Sequence, residues 1–283
     1  MPLTYGIIVP VRNEAALLPV TVSKLLDATA GDQARIIWVC NGCDDDSAAV
    51  IRRHAGPEAE VIELAEPGKT KALQAGDEAL GGLFPRVYLD ADTWLRPGDM
   101  ARLLAPLQSG SADLVAPRLC HDTTDASWLS ARIGACWLAL PHAQTTAFSN
   151  AIGLSGAGRA LWDRWPRITG DDIFVAATIP AHRKRIVPEA LATTSMPKDF
   201  KGWVRMRARW RKGERELTEL GLSPPQAAEQ KAALLRRMCN PQLAIGAWAF
   251  VAARLLASRG SEKTGSGIWL PDRNQNTNGD TRS

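Results

Sequence analysis

The sequence predicts an α/β fold, with a mixed and mostly parallel sheet flanked by helices, from two observations. Four short apolar segments have the composition of buried strands, and they lie at residues 5–11, 35–40, 59–64 and 86–89. Segments with helical spacing separate them, at residues 15–28, 48–54 and 69–80. This alternation indicates βαβ crossovers and therefore parallel strands. Because polar residues follow each predicted strand, we expect a site at one edge of the sheet.

The composition fits one large α/β domain, or such a domain with an appendage. Of the 283 residues 45% are hydrophobic, and 34 basic residues against 30 acidic ones give a net charge of +4. This near balance, without a nucleic-acid-binding motif, predicts no nucleic-acid partner. Five cysteines, an odd number without a regular framework, favour a reducing compartment. The apolar run at residues 6–11 is too short for a secretory signal.

The C-terminal third combines basic and apolar helical patterns. Residues 201–219 have the pattern of a long basic helix, and residues 243–258 form the most apolar segment. A membrane-spanning helix needs about 20 apolar residues. The segment is shorter than that and contains Arg254. Three placements therefore stay open for it: an interfacial helix, a packed core helix or a short membrane span.

Asp90 and Asp92 follow the fourth predicted strand, where an apolar run ends in two carboxylates. Residues two apart point the same way in extended geometry. Converging carboxylates repel each other unless a cation lies between them, and oxygen ligands suit Mg²⁺ or Mn²⁺. Such a cation could hold a diphosphate and neutralise a phosphate leaving group. Two solvated aspartates in a turn would give the same pattern, so the other motifs must decide.

Several further motifs occur in a characteristic order, and together they resemble one known family. The motifs are Val9-Pro10-Val11-Arg12-Asn13-Glu14, Asn41-Gly42-Cys43-x-Asp45-x-Ser47, Pro67-Gly68-Lys69-x-x-Ala72-Leu73-x-x-Gly76, Leu89-Asp90-Ala91-Asp92, Asp171-Asp172 and Arg209-Trp210. Their order resembles that of the family 2 glycosyltransferases, whose GT-A fold is a Rossmann-like α/β fold. The resemblance covers residues 5–213. It implies inverting transfer of a sugar from a nucleotide-sugar donor.

The resemblance implies a donor site made from the loops that follow the first, second and fourth strands. Arg12 is planar and could stack on the nucleotide base. Asn41 stands where the family usually has an aspartate that binds the base, so the identity of the base stays open. Lys69 and Lys71 lie where cations could meet phosphate. The residues predicted to bind the donor are Pro10, Arg12, Glu14, Asn41, Asp45, Lys69, Lys71, Asp90, Ala91, Asp92, Arg209 and Trp210.

Four aspartates are expected to carry the metal and the chemistry. The resemblance places Asp90 at the ribose or the metal and makes Asp92 a ligand of Mn²⁺ or Mg²⁺. Asp171-Asp172 looks like the family's Glu-Asp pair, and we assign the catalytic base to Asp172, with Asp171 as the alternative. An acidic neighbour tends to raise the pKa, which suits a base near neutral pH. The pair could also be acidic residues stabilised at the N-terminus of a helix.

Arg209-Trp210 matches only part of the family's Gln-x-x-Arg-Trp motif, because Met206 stands at the glutamine position. The missing glutamine argues against a processive polysaccharide synthase, as does the lack of several long apolar spans. Arg209 could still pair with diphosphate, and Trp210 could stack on an acceptor sugar. Residues 155–158 look like the family's small-residue segment at the acceptor cleft. We expect core positions for Trp128, Trp137, Trp162 and Trp165.

These observations predict a main domain at residues 1–215, a helical membrane-surface segment at residues 216–260 and a flexible tail at residues 261–283. Residues 1–118 would form the nucleotide-sugar half of the main domain, and residues 119–215 the acceptor half. The predicted reaction is metal-dependent transfer from a UDP- or GDP-sugar to a glycan or a lipid-diphosphate-linked acceptor, in the synthesis of a cell-surface or exported polysaccharide. Basic helices beside the apolar segment favour a peripheral position on the cytoplasmic face of the membrane. The alternatives are a nucleotidyltransferase and a non-catalytic sugar-nucleotide-binding scaffold.

Overall fold

An eight-stranded sheet runs through the protein, whose computed structural model describes residues 2–140, 148–223 and 227–260. The tail predicted at residues 261–283 lies outside the described residues. The strands are β1 (Thr4–Val11), β2 (Gln33–Asn41), β3 (Glu60–Leu64), β4 (Arg86–Leu89), β5 (Thr93–Leu95), β6 (Leu114–Asp122), β7 (Ala151–Leu154) and β8 (Lys184–Ser195).

Helices cover the sheet and extend beyond it at the C-terminal end of the chain. A short 3₁₀ helix (Ala181–Arg183) precedes β8. The α-helices are α1 (Leu18–Ala28), α2 (Ser47–Ala55), α3 (Lys69–Leu80), α4 (Asp99–Gln108), α5 (Trp128–Leu138), α6 (Gly156–Arg159), α7 (Asp171–Thr178), α8 (Phe200–Glu219), α9 (Ala227–Met238) and α10 (Ala244–Gly260).

The sheet has the strand order β3-β2-β1-β4-β7-β6-β8-β5. β1 lies parallel to β2 and to β4, and β2 lies parallel to β3, which confirms the predicted parallel crossovers. β7 runs antiparallel to β4 and β6, and β5 runs antiparallel to β8. The sheet is therefore mixed, and the carboxyl ends of β1, β2 and β4 meet at one edge.

The side chains of β1 alternate between two hydrophobic cores, one on each face of the sheet. Ile7 and Val9 pack with Val22 of α1 and with residues of α2 and α4. Ile8 points to the other face and packs with Leu73 of α3 and with residues of α7. Because β1 is buried on both faces, its sequence is a continuous apolar run, as expected for a parallel strand.

A third core forms where α5, α8, α9 and α10 pack together, and it includes Trp203 and Phe250. Gly246 of α10 lies directly against the backbone of Arg132 in α5, where a Cβ would overlap the Arg132 carbonyl group. Trp128, which we expected in the core, is instead 60% exposed at the start of α5. Among the helices described, none is both long and apolar enough to cross a membrane. The domain boundary predicted at residue 215 falls within α8.

The prediction that residues 155–158 line an acceptor cleft is wrong about their position. β7 runs antiparallel to β4, with Ala151 opposite Leu89 and Leu154 opposite Arg86. The segment that follows β7 therefore lies where β4 begins, at the edge of the sheet away from Asp90. Its small residues instead allow α6 to pack closely on the backbone before β6.

Candidate active site

A small open cleft lies at the carboxyl end of β4, beside the end of β1. Ligands bind at this edge in open α/β sheets. Five of the predicted site residues line the cleft, although they are far apart in the sequence. The lining residues are Pro10, Lys69, Leu73, Tyr88, Leu89, Asp90, Asn150, Ile152, Asp171 and Asp172.

Lys69 joins the acidic groups on the two sides of this cleft. It is the first residue of α3, which places it at the carboxyl edge of the sheet. Its Nζ lies 2.7 Å from Oδ1 of Asp90 and 3.1 Å from Oδ2 of Asp171. The side chains of Lys69 and Asp171 are only 15% and 9% exposed, so water and salt screen this contact weakly.

Burial and charge shift the pKa values of the three central groups. Burial favours the neutral form of Lys69, but Asp171, Asp90 and Asp172 outweigh that effect and raise its pKa. Burial also raises the pKa of Asp171, although Lys69 opposes the shift. Burial and the charge of Asp171 raise the pKa of Asp172 to about 6. The site therefore keeps a lysine cation beside a carboxylate that can accept a proton near neutral pH.

Asn41 is fully buried, and both ends of its side-chain amide bind the backbone. Its Nδ2 donates to the carbonyl oxygen of Val11 at 2.7 Å, and its Oδ1 accepts from the amide of Gly68 at 3.0 Å. Gly68 directly precedes Lys69, so Asn41 fixes the start of α3 against the end of β1. The contact between Asn41 and the nucleotide base of the donor, which we expect from the sequence, stays a prediction.

Asp45 ties the loop after β2 to the loop after β1. Its Oδ2 accepts from the amide of Ala15 at 3.0 Å, and its Oδ1 accepts from the Ser47 hydroxyl at 2.6 Å. The Ser47 hydroxyl in turn accepts from the amide of Glu14 at 3.0 Å. Arg12 in the same loop is 7% exposed, and its buried Nε and Nη1 have no hydrogen-bond partner within the described residues. The two loops thus form one unit that carries three predicted donor-binding residues.

Asp90 and Asp92 lie in a turn after β4, and Asp90 forms an ion pair with Lys69. The carbonyl oxygen of Ala91 accepts from the Thr21 hydroxyl at 2.6 Å, and that of Asp92 accepts from the amide of Ser195 at 3.1 Å. Neighbours on both sides therefore hold the turn. In the described ranges, no three His, Cys, Asp or Glu side chains form a complete metal site. One or two carboxylates plus substrate phosphates are a usual ligand set for Mg²⁺.

Of the twelve predicted donor-binding residues, Pro10, Lys69 and Asp90 line the cleft, and Lys71, Arg209 and Trp210 are among the nine that do not. Lys71 forms an ion pair with Glu66, and its side chain is 36% exposed. Arg209 is half-buried on α8. Trp210 packs against Trp137, with ring centroids 5.9 Å apart. Their contacts with phosphate or acceptor stay predictions.

Helix α8 nevertheless holds the loop that carries the acidic pair. Oε2 of Glu216 accepts from the amide of Thr169 at 2.5 Å. Gly213 packs on Gly170, so closely that a Cβ at Gly213 would lie 3.0 Å from the Gly170 backbone. Gly170 directly precedes Asp171. Arg209 lies one turn before Gly213 on α8, with spacing that places the two residues on the same face of the helix.

Asp77 of α3 is the centre of a buried network that the sequence analysis missed. Its Oδ1 accepts from Nη1 of Arg86 and from the Tyr88 hydroxyl, both at 2.7 Å. Its Oδ2 accepts from Nε of Arg159 at 2.6 Å and from Nε1 of Trp165 at 2.7 Å. The network fixes α3 against β4, and hence Lys69 against Asp90. An aspartate at a core-facing position of an amphipathic helix was the available signal.

Asn150 is a second residue that the sequence analysis missed. It has a left-handed backbone, with φ of 64°. Its carbonyl oxygen accepts from the amide of Asp90 at 2.7 Å, and its Nδ2 donates to the Thr194 hydroxyl at 3.1 Å. Because these partners are far away in the sequence, no local pattern could have revealed the role of Asn150.

A comparison of the sequence with models of known families identifies the family of this chain. The sequence model described as glycosyl transferase family 2 matches residues 6–153, just over half of the chain. The chain belongs to glycosyl transferase family 2. The match contains four of the six motifs that carried the resemblance, from the end of β1 to the turn after β4, whereas Asp171-Asp172 and Arg209-Trp210 lie beyond it.

Solved structures share the fold of this family 2 chain. A mannosyltransferase from Pyrobaculum calidifontis, in complex with GDP-Man and Mn²⁺, has a TM-score of 0.64 and 19% identity, over 93% of this chain and 80% of that one. A glucosyl-3-phosphoglycerate synthase from Mycobacterium tuberculosis has a TM-score of 0.52 and 17% identity, over 80% of this chain and 81% of that one. The predicted GT-A fold is thus confirmed.

One curated relative shares part of the sequence of the family 2 chain. The undecaprenyl-phosphate 4-deoxy-4-formamido-L-arabinose transferase of Shewanella sediminis is 31% identical over 111 residues. The match covers 37% of this chain and 33% of the relative. The matched stretch thus spans about a third of the length of that relative.

Proposed function

We propose that this family 2 protein transfers a sugar, with inversion, from a nucleoside-diphosphate sugar to an acceptor hydroxyl in the presence of Mn²⁺ or Mg²⁺. The observation that carries the proposal is the position of Lys69 between Asp90 and Asp171. The Asp90 side of this ion-pair bridge would face the departing diphosphate, and the Asp171 side would face the attacking hydroxyl. A lysine cation between two such groups suits a reaction in which negative charge develops on phosphate.

The donor would lie across the carboxyl edge of the sheet, with its nucleoside between the loops that follow β1 and β2. Bound by Asp90 and Asp92, Mn²⁺ or Mg²⁺ would neutralise charge on the diphosphate. The Mn²⁺ and GDP-Man or UDP-glucose bound in neighbours of the same fold support this placement and a UDP- or GDP-sugar donor. The proposed donor-binding residues remain Pro10, Arg12, Glu14, Asn41, Asp45, Lys69, Lys71, Asp90, Ala91, Asp92, Arg209 and Trp210.

We assign the base to Asp172. Its carboxylate would accept the proton of the acceptor hydroxyl while the hydroxyl oxygen attacks the anomeric carbon. The bond from that carbon to the diphosphate oxygen then breaks on the opposite face, which inverts the configuration. A pKa of about 6 keeps Asp172 ionised at neutral pH and still basic. Asp171 is the alternative base, but Lys69 already binds one of its oxygens.

We further propose a glycan or lipid-diphosphate-linked acceptor, in cell-surface or exported polysaccharide synthesis, and a peripheral position on the cytoplasmic face of the membrane. Two observations support this proposal. The name of the Shewanella relative gives undecaprenyl phosphate as part of its reaction. The helices α8 and α9 carry exposed Arg205, Arg215 and Arg236, and basic residues favour anionic lipid surfaces.

A thermal-shift screen of nucleoside diphosphates, with and without Mn²⁺, tests the donor site. A ligand that binds only the folded protein raises Tm by mass action. We expect a metal-dependent rise with UDP or GDP, lost in Asp92→Ala and kept in Asp125→Ala, which changes an exposed aspartate.

Product analysis then separates the candidate reactions. Transfer from the matching nucleotide sugar, with inverted anomeric configuration and release of nucleoside diphosphate, supports the proposal. Binding without turnover on any glycan or lipid-linked acceptor would favour the scaffold alternative. Release of pyrophosphate from a nucleoside triphosphate and a sugar phosphate would identify a nucleotidyltransferase.

A further inference from the structure

Helix α10 presents an apolar stripe to solvent, here called the α10 outer face. The stripe consists of Ile245, Trp248, Ala252, Leu255 and Leu256, which recur every three or four residues. The four large side chains are 51%, 60%, 60% and 46% exposed, in the order Ile245, Trp248, Leu255 and Leu256. A surface helix of a globular protein normally carries polar residues on its solvent side. The α10 outer face thus resembles a face that meets a second apolar phase.

The opposite face of α10 packs against the rest of the protein. Ala247, Phe250, Ala253 and Ala257 are buried on that face. Phe250 meets Trp203 of α8 in an edge-on ring contact, with centroids 6.2 Å apart. The helix therefore has apolar residues on both its packed side and its exposed side, and the packing fixes which side faces outward.

Helix α10 and helix α5, which packs on it, contain arginines but no acidic residue, whereas α8, which also packs on α10, contains Glu214, Glu216 and Glu219. The sequences of Trp128–Leu138 and Ala244–Gly260 contain Arg132, Arg254 and Arg259 but no aspartate or glutamate, and Arg254 lies near Arg207 on the packed side of α10. The guanidinium of Arg132 lies over the ring of Trp128, 5.4 Å from its centroid. Trp128 is 60% exposed, and Arg132 contacts α10 through Gly246. An exposed tryptophan and an arginine thus lie beside the start of the stripe.

We propose that the α10 outer face, together with Trp128, docks on an anionic lipid bilayer, with the helix lying in the plane of the interface. Tryptophan concentrates at the level of the lipid headgroups, and arginine binds anionic headgroups. A second copy of this chain fits less well, because a two-fold contact through this face would bring Arg132 of both copies to the contact, and neither α5 nor α10 supplies an acidic partner. The proposal deepens the proposed function, on which it rests for the presence of a lipid-linked acceptor.

Flotation of the full chain with lipid vesicles tests the surface. We expect binding to phosphatidylcholine vesicles that contain phosphatidylglycerol, and weaker binding to phosphatidylcholine alone. The double variant Trp248→Glu/Leu255→Glu should lower the partition coefficient by about tenfold or more, because it puts two charges on the inserted face. The matched control is Val20→Glu/Leu161→Glu, which changes apolar residues that are 45% and 51% exposed on other parts of the molecule. The control should bind as the unchanged chain does.

Two further measurements make every outcome decisive. Brominated lipids should quench the tryptophan fluorescence of the unchanged chain, and Trp128→Phe/Trp248→Phe should lose most of that quenching. Failure of the unchanged chain to float with anionic vesicles would overturn the proposal, as would equal binding by the charged variant. A dimer in light scattering that Trp248→Glu/Leu255→Glu converts to a monomer, without vesicle binding, would assign the face to a second copy.

The nucleotide thermal shift, measured on the same proteins without lipid, keeps the two proposals separate. The charged variant should keep its Tm and its metal-dependent nucleotide response, because α10 lies outside the cleft. Loss of vesicle binding with an intact nucleotide response concerns only the surface. Vesicle binding without any nucleotide response would instead contradict the proposed function.

Discussion

At the residue scale, Lys69 should matter for stability as well as for donor binding. Lys69→Met leaves the carboxylates of Asp90 and Asp171 close together without their shared cation. Breaking a buried ion pair on one side costs about 3 kcal/mol. We expect that loss in urea unfolding at neutral pH. It should shrink as the pH falls, because the raised pKa of Asp171 lets that group take up a proton.

Lys71→Met is the matched control, since Lys71 lies two residues away and pairs with Glu66, which is 79% exposed. Its loss should leave the free energy of unfolding almost unchanged, because an exposed ion pair contributes little to stability. Equal losses in both variants would show that the buried bridge has no special role.

The pKa of Asp172 should determine the pH below which the rate of sugar transfer falls. A base must be ionised, and burial and Asp171 raise its pKa to about 6. The rate should therefore be constant above that pH and fall about tenfold per pH unit below it. Asp172→Asn should lower kcat by about 10²-fold to 10⁴-fold and abolish this fall at low pH.

Asp163→Asn, which changes an exposed aspartate, is the control for that experiment. If Asp172→Asn kept its turnover while Asp171→Asn lost it, the base would be Asp171. Initial rates over the pH range, corrected for nucleotide affinity at each pH, give the answer.

Much of the cleft was predictable from single residues, and the exceptions have a physical reason. The sequence pointed to Lys69, Asp90, Asp171 and Asp172 because each follows a strand or opens a helix, and the structure brings all four together. Asn150 gave no signal, since its role depends on a left-handed backbone and on distant partners.

At the scale of elements, the sequence predicted the alternating strands and helices from β1 to β4. It did not predict the short antiparallel strands β5 and β7. The predicted bounds of α3 and β4 agree with Lys69–Leu80 and Arg86–Leu89. β5 and β7 have only three and four residues, too few for a periodic signal. β8 contains a proline, and its register with β6 shifts between Pro117 and Arg118, so its pattern is irregular.

The network around Asp77 should be the strongest link between α3 and β4. Asp77→Asn removes the negative charge that pairs with Arg86 and Arg159, both buried. Loss of one partner from a buried ion pair costs about 3–5 kcal/mol. The adjacent Glu78→Gln should cost less than about 1 kcal/mol, because its pair with Arg164 is exposed. Urea unfolding of both variants makes the comparison, and similar values would refute the network's importance.

The contact between Gly213 and Gly170 should couple α8 to the acidic pair. Gly213→Ala places a Cβ 3.0 Å from the Gly170 backbone, which must move. We expect a destabilisation of about 1–3 kcal/mol and a fall in kcat, because Asp171 and Asp172 follow Gly170. Gly82→Ala, with no heavy atom within 4 Å of its added Cβ, is the control. An unchanged kcat in Gly213→Ala would show that the packing of α8 on Gly170 does not affect catalysis.

At the scale of the whole molecule, α8 joins two regions with different proposed partners. Trp203 near its start packs in the helical core with α10, and Gly213 near its end meets the loop of the acidic pair. Hydrogen exchange should separate the regions. UDP or GDP with Mn²⁺ should protect residues 12–15, 43–47 and the start of α3, while anionic vesicles should protect α10. Protection of both regions by either ligand alone would show that they do not act separately.

If Lys69 binds the donor as proposed, donor binding and proton binding are thermodynamically linked. A donor phosphate that draws the Lys69 ammonium away from Asp171 would leave less positive charge beside Asp171 and Asp172. The proton affinity of these two carboxylates would then increase. Donor binding would then be accompanied by proton uptake. Linkage is reciprocal, so the donor would bind more tightly as the pair becomes protonated. The protonation that strengthens donor affinity would be the same one that disables the base, so tight binding and fast transfer would favour opposite ends of the pH range.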